Sequence, residues 1–138
     1  MYLIKPNLAE LSSLVGKEEL NIELVDDVAR TVIEKGKCEV VVVSMGPAEA
    51  MLVTKEMAQQ IIPPAVIRKS TVGAGDSMVA GMLLSLSRNK SLIETVQYGV
   101  ACGTAATMNP GTELCRLEDV EHLYRLIKKM MLNKIEID

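Results

Sequence analysis

The chain has 138 residues, 49% hydrophobic and 24% charged, with a formal net charge of −3. That is enough apolar matter for one compact domain with none of the polar excess of disorder, and the acidic balance argues against a nucleic-acid binder, whose affinity is built from Lys and Arg excess. No apolar run reaches the roughly 18–20 residues that span a bilayer and no charged-then-apolar leader opens the chain, so a soluble cytoplasmic protein with no membrane partner is expected.

Tyr2-Leu3-Ile4 reads as a short strand that ends in the loop Lys5-Pro6-Asn7, since proline brings no N–H to a ladder. A buried-looking strand this early predicts the later part of a larger fold. Leu8 to Val15 has the spacing of a short helix, stopped at Gly16. After the polar connection 17–23, Asp26 or Asp27 can start a helix whose apolar face is Val28, Val32 and Ile33, and Gly36 ends it. The β-branched run opening Val40 to Met45 predicts a fully buried strand of the kind found in parallel sheets. Gly46-Pro47 then turns the chain, Ala50 to Thr54 returns as a strand, and Gln60-Ile61-Ile62 is a third before Pro63-Pro64.

Ala74 to Arg88 reads as a long apolar helix in which Ala80 and Gly81 permit close packing. Ser91 caps the next helix, Leu92 to about Met108, which carries Gly99, Ala101, Gly103, Ala105 and Ala106 on packed faces. Asn109-Pro110-Gly111 breaks it. Leu117 to Met131 is amphipathic, with Leu123, Leu126, Ile127 and Met130 inward and Glu121, Arg125, Lys128 and Lys129 outward. This element order predicts an α/β layered fold.

Generic catalytic templates are missing. There is no P-loop, Met78 stands where a dinucleotide turn needs its third glycine, and no nucleophile elbow occurs. Cys38, Cys102 and Cys115 form no C-x-x-C pair and read as reduced packing residues, while His122, the sole histidine, reads as a solvated helix position. With Tyr2, Tyr98 and Tyr124 the only aromatics, base stacking is not a main binding mode.

The stretch Gly73-Ala74-Gly75-Asp76 supports two readings. An acid in a first turn helps a helix start. Alternatively, the N–H groups of Gly73, Ala74 and Gly75 hold a phosphoryl group while Asp76 takes a proton from an attacking hydroxyl. Three other stretches carry chemistry: Lys5-Pro6-Asn7 with Glu10, Ser44-Met45-Gly46, and Asn109-Pro110-Gly111. Ligands of open α/β sheets bind outside the carboxyl ends of strands, so the first two are expected to converge with the glycine turn.

Thr71-Val72-Gly73-Ala74-Gly75-Asp76-Ser77-Met78 resembles the second signature of the ribokinase-like (PfkB) carbohydrate kinases, and Asn7-Leu8-Ala9-Glu10 resembles their N-x-x-E motif. Leu3-Ile4-Lys5-Pro6-Asn7, Val41-Val42-Val43-Ser44 and Gly103-Thr104-Ala105-Ala106-Thr107-Met108-Asn109 are similar to segments of that family's minor bacterial 6-phosphofructokinase branch. The resemblance implies a ribokinase-like fold with helices around a mainly parallel sheet. Residues 1–138 would form its C-terminal, nucleotide-binding and catalytic-base portion, without the N-terminal half and without the lid through which the parent protein forms a homodimer.

It further implies ATP-dependent phosphorylation of a sugar phosphate, fructose 6-phosphate first, as in glycolysis, with the isolated portion inactive. A 1-phosphofructokinase or tagatose-6-phosphate kinase is the alternative within that chemistry, and a non-catalytic nucleotide-binding module the alternative outside it. Asp76 matches the family's base, and the N–H groups of Gly73, Ala74, Gly75 and Asp76 match its anion hole. Asn7 and Glu10 match the motif that organises Mg2+, through water, and the nucleotide phosphates. Lys5, Ser44 and Gly46 match nucleotide-site positions. Asn109 matches a position beside the adenine pocket and, with Ser70, Val72 and Gly111, a monovalent-cation loop suited to K+. Glu49, where the family usually has glycine, and Glu113, where the nearest branch has Arg, depart from the pattern.

Overall fold

The computed structural model describes residues 2–16, 24–109 and 115–137, with side chains to 133. They group into two units, residues 1–60 and 61–138.

The first unit is built on strand β1 (Leu3–Ile4), helices α1 (Leu8–Leu14) and α2 (Val25–Glu34), and strands β2 (Val40–Met45), β3 (Glu49–Val53) and β4 (Ala58–Ile61), whose last residue lies on the unit boundary. The sheet order is β1-β2-β3-β4. β1 runs parallel to β2, with Leu3 opposite Val40, because α1 and α2 form the crossover a parallel pair needs. β3 runs antiparallel to β2, with Val43 opposite Met51 and Met45 opposite Glu49. The α/β expectation stands, but the sheet is mixed where a mainly parallel one was implied. The reason is the hairpin at Gly46, whose φ of +70° is open to glycine at little cost.

Val40 to Val43 are all buried, as their composition predicts. Val41 and Val43 pack with Leu11 of α1 and Val25, Val28, Ala29 and Val32 of α2. α2 begins at Val25, ahead of the expected acids; Asp26 and Asp27 occupy its first turn, where the helix dipole favours them, and Leu24 gives no side-chain cap. β4 starts two residues earlier than expected because Thr54 closes a tight turn. Its N–H donates to the Met57 carbonyl at 2.9 Å, and its hydroxyl accepts from the N–H groups of Glu56 and Met57.

The second unit holds α3 (Ala74–Ser87), α4 (Leu92–Thr107) and α5 (Leu117–Ile137). Every residue from Thr95 to Thr107 is buried, which explains the small-residue composition of α4. α3 and α4 meet through glycine: a Cβ on Gly81 would lie 2.6 Å from Cys102 Sγ, and one on Gly99 would lie 2.6 Å from Met82 Cγ. Ser91 caps α4 as expected, its Oγ accepting from the Glu94 N–H at 3.2 Å. Ser91→Ala is expected to lower stability by about 1 kcal/mol and Ser91→Gly by only a few tenths, read from urea midpoints.

α5 runs six residues beyond the expected end at Met131, since nothing in Leu132-Asn133-Lys134-Ile135-Glu136 breaks a helix. Leu123 and Ile127 are buried as expected, but Met130 is 44% exposed. Its neighbour Met131 turns inward instead and accepts the Gln97 side-chain amide at 3.1 Å. Lys128, expected outward, lies 4.8 Å over the Tyr124 ring and 3.8 Å from Glu94, with Tyr98 edge-on to Tyr124 at 5.2 Å.

The described cysteines are all free, with Cys38 and Cys102 buried, in keeping with packing roles. Burial pushes the Cys102 thiol from 9.0 up to about 12. A raised thiol pKa stabilises the neutral form in the folded state, so this contribution is complete below about pH 9 and is lost as pH climbs toward 12. The stability of the wild type is therefore expected to fall relative to Cys102→Ser over pH 9–11, measured as diverging urea midpoints.

Candidate active site

In the first unit the end of β1 delivers Lys5, Pro6 and Asn7 beside the end of β2. The Pro6 carbonyl accepts from the Ser44 N–H at 2.9 Å, and Asn7 bridges to Ser44 in parallel register. The Lys5 ammonium reaches the Ser44 hydroxyl at 3.4 Å. Asn7 caps α1: its Oδ1 accepts from the Glu10 N–H at 2.8 Å, and Glu10 Oε1 accepts from the Asn7 N–H at 3.0 Å. This reciprocal box satisfies two orphan donors and fixes both side chains relative to the strand end. One carboxylate oxygen of Glu10 and the amide nitrogen of Asn7 are left for other partners. The residues expected to serve the nucleotide from this side, Lys5, Asn7, Glu10 and Ser44, are thus gathered in one place, with Gly46 on the following turn.

Glu49 is the first residue of β3, and its Oε1 accepts from the Gln60 amide of β4 at 3.1 Å. The carboxylate standing where the family usually has glycine is held toward β4.

In the second unit Gly73 precedes α3 with φ +82°, a left-handed conformation that a Cβ would strain. This turn aims the first N–H groups of α3 outward. The Ala74 N–H is taken by the Thr71 carbonyl at 3.3 Å and the Ser77 N–H by the Gly73 carbonyl at 2.9 Å. Among the described residues the N–H groups of Gly73, Gly75 and Asp76 have no acceptor, so they are the open donors of this turn. All three residues are exposed, nothing crowds the Gly75 Cα, and no described side chain bonds the Asp76 carboxylate. Of the four N–H groups expected to form an anion hole, that of Ala74 is bonded within the turn.

The preceding loop is tied to the end of α4. The Thr107 carbonyl accepts from the Lys69 N–H at 2.7 Å and the Ser70 N–H at 3.2 Å, and the Ser70 hydroxyl accepts from the Val72 N–H at 3.1 Å. Ser70 and Val72 are so placed beside the α4 terminus that carries the buried Asn109. Gly111 and Glu113 lie outside the described residues. Thr107 and Lys69 were not anticipated; they act through backbone groups, which leave no side-chain signal. The described residues contain no cluster of three His, Cys, Asp or Glu and no helix long and apolar enough to cross a membrane. His122 is exposed, as its charged surroundings predict.

The pattern described as pfkB family carbohydrate kinase matches residues 1–119. The chain belongs to the pfkB family of carbohydrate kinases. Among curated proteins this pfkB chain is 46% identical over 127 residues to the ATP-dependent 6-phosphofructokinase isozyme 2 of Escherichia coli K12, covering 92% of this chain and 41% of that one. It is 37% identical over 125 residues to a 1-phosphofructokinase of Rhodobacter capsulatus, covering 91% and 39%. Among solved structures it superposes on phosphofructokinase-2 from E. coli in complex with potassium, with a TM-score of 0.87, 46% identity, and 93% and 41% coverage. The pfkB chain thus has the ribokinase-like α/β architecture and spans about two-fifths of the length of the relatives it matches.

Proposed function

We propose that residues 1–138 are the nucleotide-binding and catalytic-base part of one ATP-dependent kinase domain that phosphorylates a sugar phosphate, with fructose 6-phosphate the first choice. The observation that carries this is the exposed Asp76 carboxylate beside the open N–H groups of Gly73, Gly75 and Asp76 at one helix end, in a chain 46% identical to a 6-phosphofructokinase. Phosphoryl transfer asks for position and charge stabilisation more than covalent chemistry, and this turn offers both. The open N–H groups of Gly73, Gly75 and Asp76 donate to the transferring group and stabilise its developing charge. Asp76 takes the proton of the acceptor hydroxyl.

Lys5, Ser44 and Gly46 are the nucleotide-site residues of the first unit; in the second unit Asn109 holds the position beside an adenine pocket. Mg2+ bound with the nucleotide neutralises phosphate charge. The donors fit such an ion: Glu10 keeps a free hard oxygen, and with no three-acid cluster among the described residues most ligands would be phosphate and water. The Ser70–Val72 loop, pinned to the α4 terminus, supports a K+ site with Asn109 and Gly111, in line with the potassium complex of the E. coli relative. The whole enzyme would be a cytoplasmic homodimer formed through segments outside this chain.

Two hybrids test the reading, one joining this chain to the part of the E. coli relative that it does not match, the other to the corresponding part of the Rhodobacter relative. Turnover of fructose 6-phosphate with MgATP by the first, exceeding turnover of fructose 1-phosphate by the second, is expected. The reverse order would favour a 1-phosphofructokinase, the reading that the 37% identity keeps open. MgATP binding by calorimetry with no transfer in either hybrid would leave a nucleotide-binding module.

A further inference from the structure

The β2–β3 hairpin carries an acid that the proposed chemistry does not use. β2 ends at Met45 and β3 begins at Glu49, which face each other across the ladder, with Ser44 opposite Ala50. Only the turn 46–48 separates the two strands, so an anion sits on the same hairpin as Ser44 and Gly46. Its surroundings are apolar: Met45, Ala48 and Ala50 are buried, and Glu49 itself is half-buried. A carboxylate in that setting is costly unless water or a donor serves it.

Gln60 is that donor. It lies on β4, beside β3 in the sheet and within the same unit, and its side-chain amide donates to Glu49 Oε1 at 3.1 Å. Among the described residues no cation pairs with Glu49 and its second oxygen has no partner, so the charge is oriented but not neutralised. Alternation puts the Glu49 side chain on the face that Met45 uses and that of Ser44 on the other, where the Lys5 ammonium meets it at 3.4 Å. The Gln60 bond thus holds the carboxylate on the side of the sheet away from the Lys5–Ser44 contact.

We infer that Gln60 is a positioning residue for nucleotide binding: by holding Glu49 toward β4 it keeps a negative charge from turning round the hairpin end to Ser44 and Gly46. The inference rests on the reading of Lys5, Ser44 and Gly46 as nucleotide-site residues, not on which sugar is phosphorylated. Glu49 opens its strand on a side chain of several free torsions, and the space where Gly46 would carry a Cβ is open, so nothing at the turn blocks the movement. Released, the carboxylate is drawn to the Lys5 ammonium at this strand end and competes with phosphate for it. Like charges several ångströms apart near a protein surface repel by an amount worth roughly three- to tenfold in affinity, and the effect grows with the charge of the ligand. Metal-free ATP, more negative than its Mg2+ complex, is the more sensitive of the two.

Calorimetry with MgATP and with metal-free ATP on the E. coli hybrid, which contains the full chain, tests it. Gln60 is exposed, so Gln60→Ala and the strand-forming Gln60→Val leave the packing intact. Each is expected to weaken MgATP binding about three- to tenfold and metal-free ATP by a larger factor. Adding Glu49→Gln to Gln60→Ala removes the charge and is expected to restore both affinities to within about twofold of the wild type, a rescue that a merely structural role for Gln60 would not show. Unchanged affinity in a folded Gln60→Ala hybrid would overturn the inference. So would equal weakening of the two ligands, or weakening that Glu49→Gln fails to restore. A wild-type hybrid that binds no MgATP would instead overturn the nucleotide-site reading itself, and this inference with it.

Discussion

Asp76→Asn, made in the E. coli hybrid, is expected to reduce fructose 6-phosphate turnover by about 10²–10⁴-fold, the range a positioned general base supplies. The substitution keeps the size of the side chain and, because Asp76 is exposed and bonded to no described residue, disturbs no packing. Its structural cost is confined to the first turn of α3, where losing an anion near the dipole costs about 0.3–1 kcal/mol. The two readings of this acid therefore separate cleanly. If Asp76 only starts the helix, the variant loses a little stability and turns over almost normally. If it is the base, kcat falls steeply while the urea midpoint barely moves and MgATP affinity holds, since the N–H groups of Gly73, Gly75 and Asp76 are backbone groups the substitution leaves in place. Equal turnover in the two proteins would remove Asp76 from the mechanism.

Much of this arrangement was legible because it is local. Ser91 and Glu94, the apolar run at Val40, and the glycine before α3 each act within a few residues, and the elements they specify stand where expected. Asn7 and Glu10 illustrate the limit of local reading. Their spacing matches a kinase motif and also a capping box, and the structure uses them as the box while leaving polar atoms for the motif. Contacts between distant segments were not legible: Lys5 with Ser44 across 39 residues, Glu49 with Gln60, and the Thr107 carbonyl with the loop before the glycine turn. The phase of α5 was ambiguous for a geometric reason. Met130 and Met131 lie three and four residues beyond the buried Ile127, both spacings suit one helix face, and only the Gln97 amide on α4 decides for Met131.

The glycines between α3 and α4 set the second large effect. Gly99→Leu is expected to cost at least 3 kcal/mol, and Gly99→Ala about 1–2 kcal/mol net, although alanine in a helix interior ordinarily gains about 1 kcal/mol over glycine. The reversal follows from contact. A Cβ at Gly99 meets Met82 Cγ at 2.6 Å and the Met78 carbonyl oxygen at 3.1 Å, and the second of these is helix backbone that cannot step aside. At Gly81 the closest atom is the Cys102 sulfur at 2.6 Å, a side-chain tip, with Cys102 Cβ at 3.1 Å behind it. Cys102→Ala removes the sulfur and is expected to recover most of the cost of Gly81→Ala in a double-mutant cycle, because the two sites share that contact. Met82→Ala is expected to recover less of the cost of Gly99→Ala, since the Met78 carbonyl remains. Urea denaturation of the single and double variants measures both couplings; a Gly99→Ala protein as stable as the wild type would mean that the helices separate at little cost. Such separation would have a functional price. α3 begins at the Asp76 turn and α4 ends beside the loop that precedes it, so a shift along their contact would move Asp76, the proposed base, relative to Ser70 and Asn109.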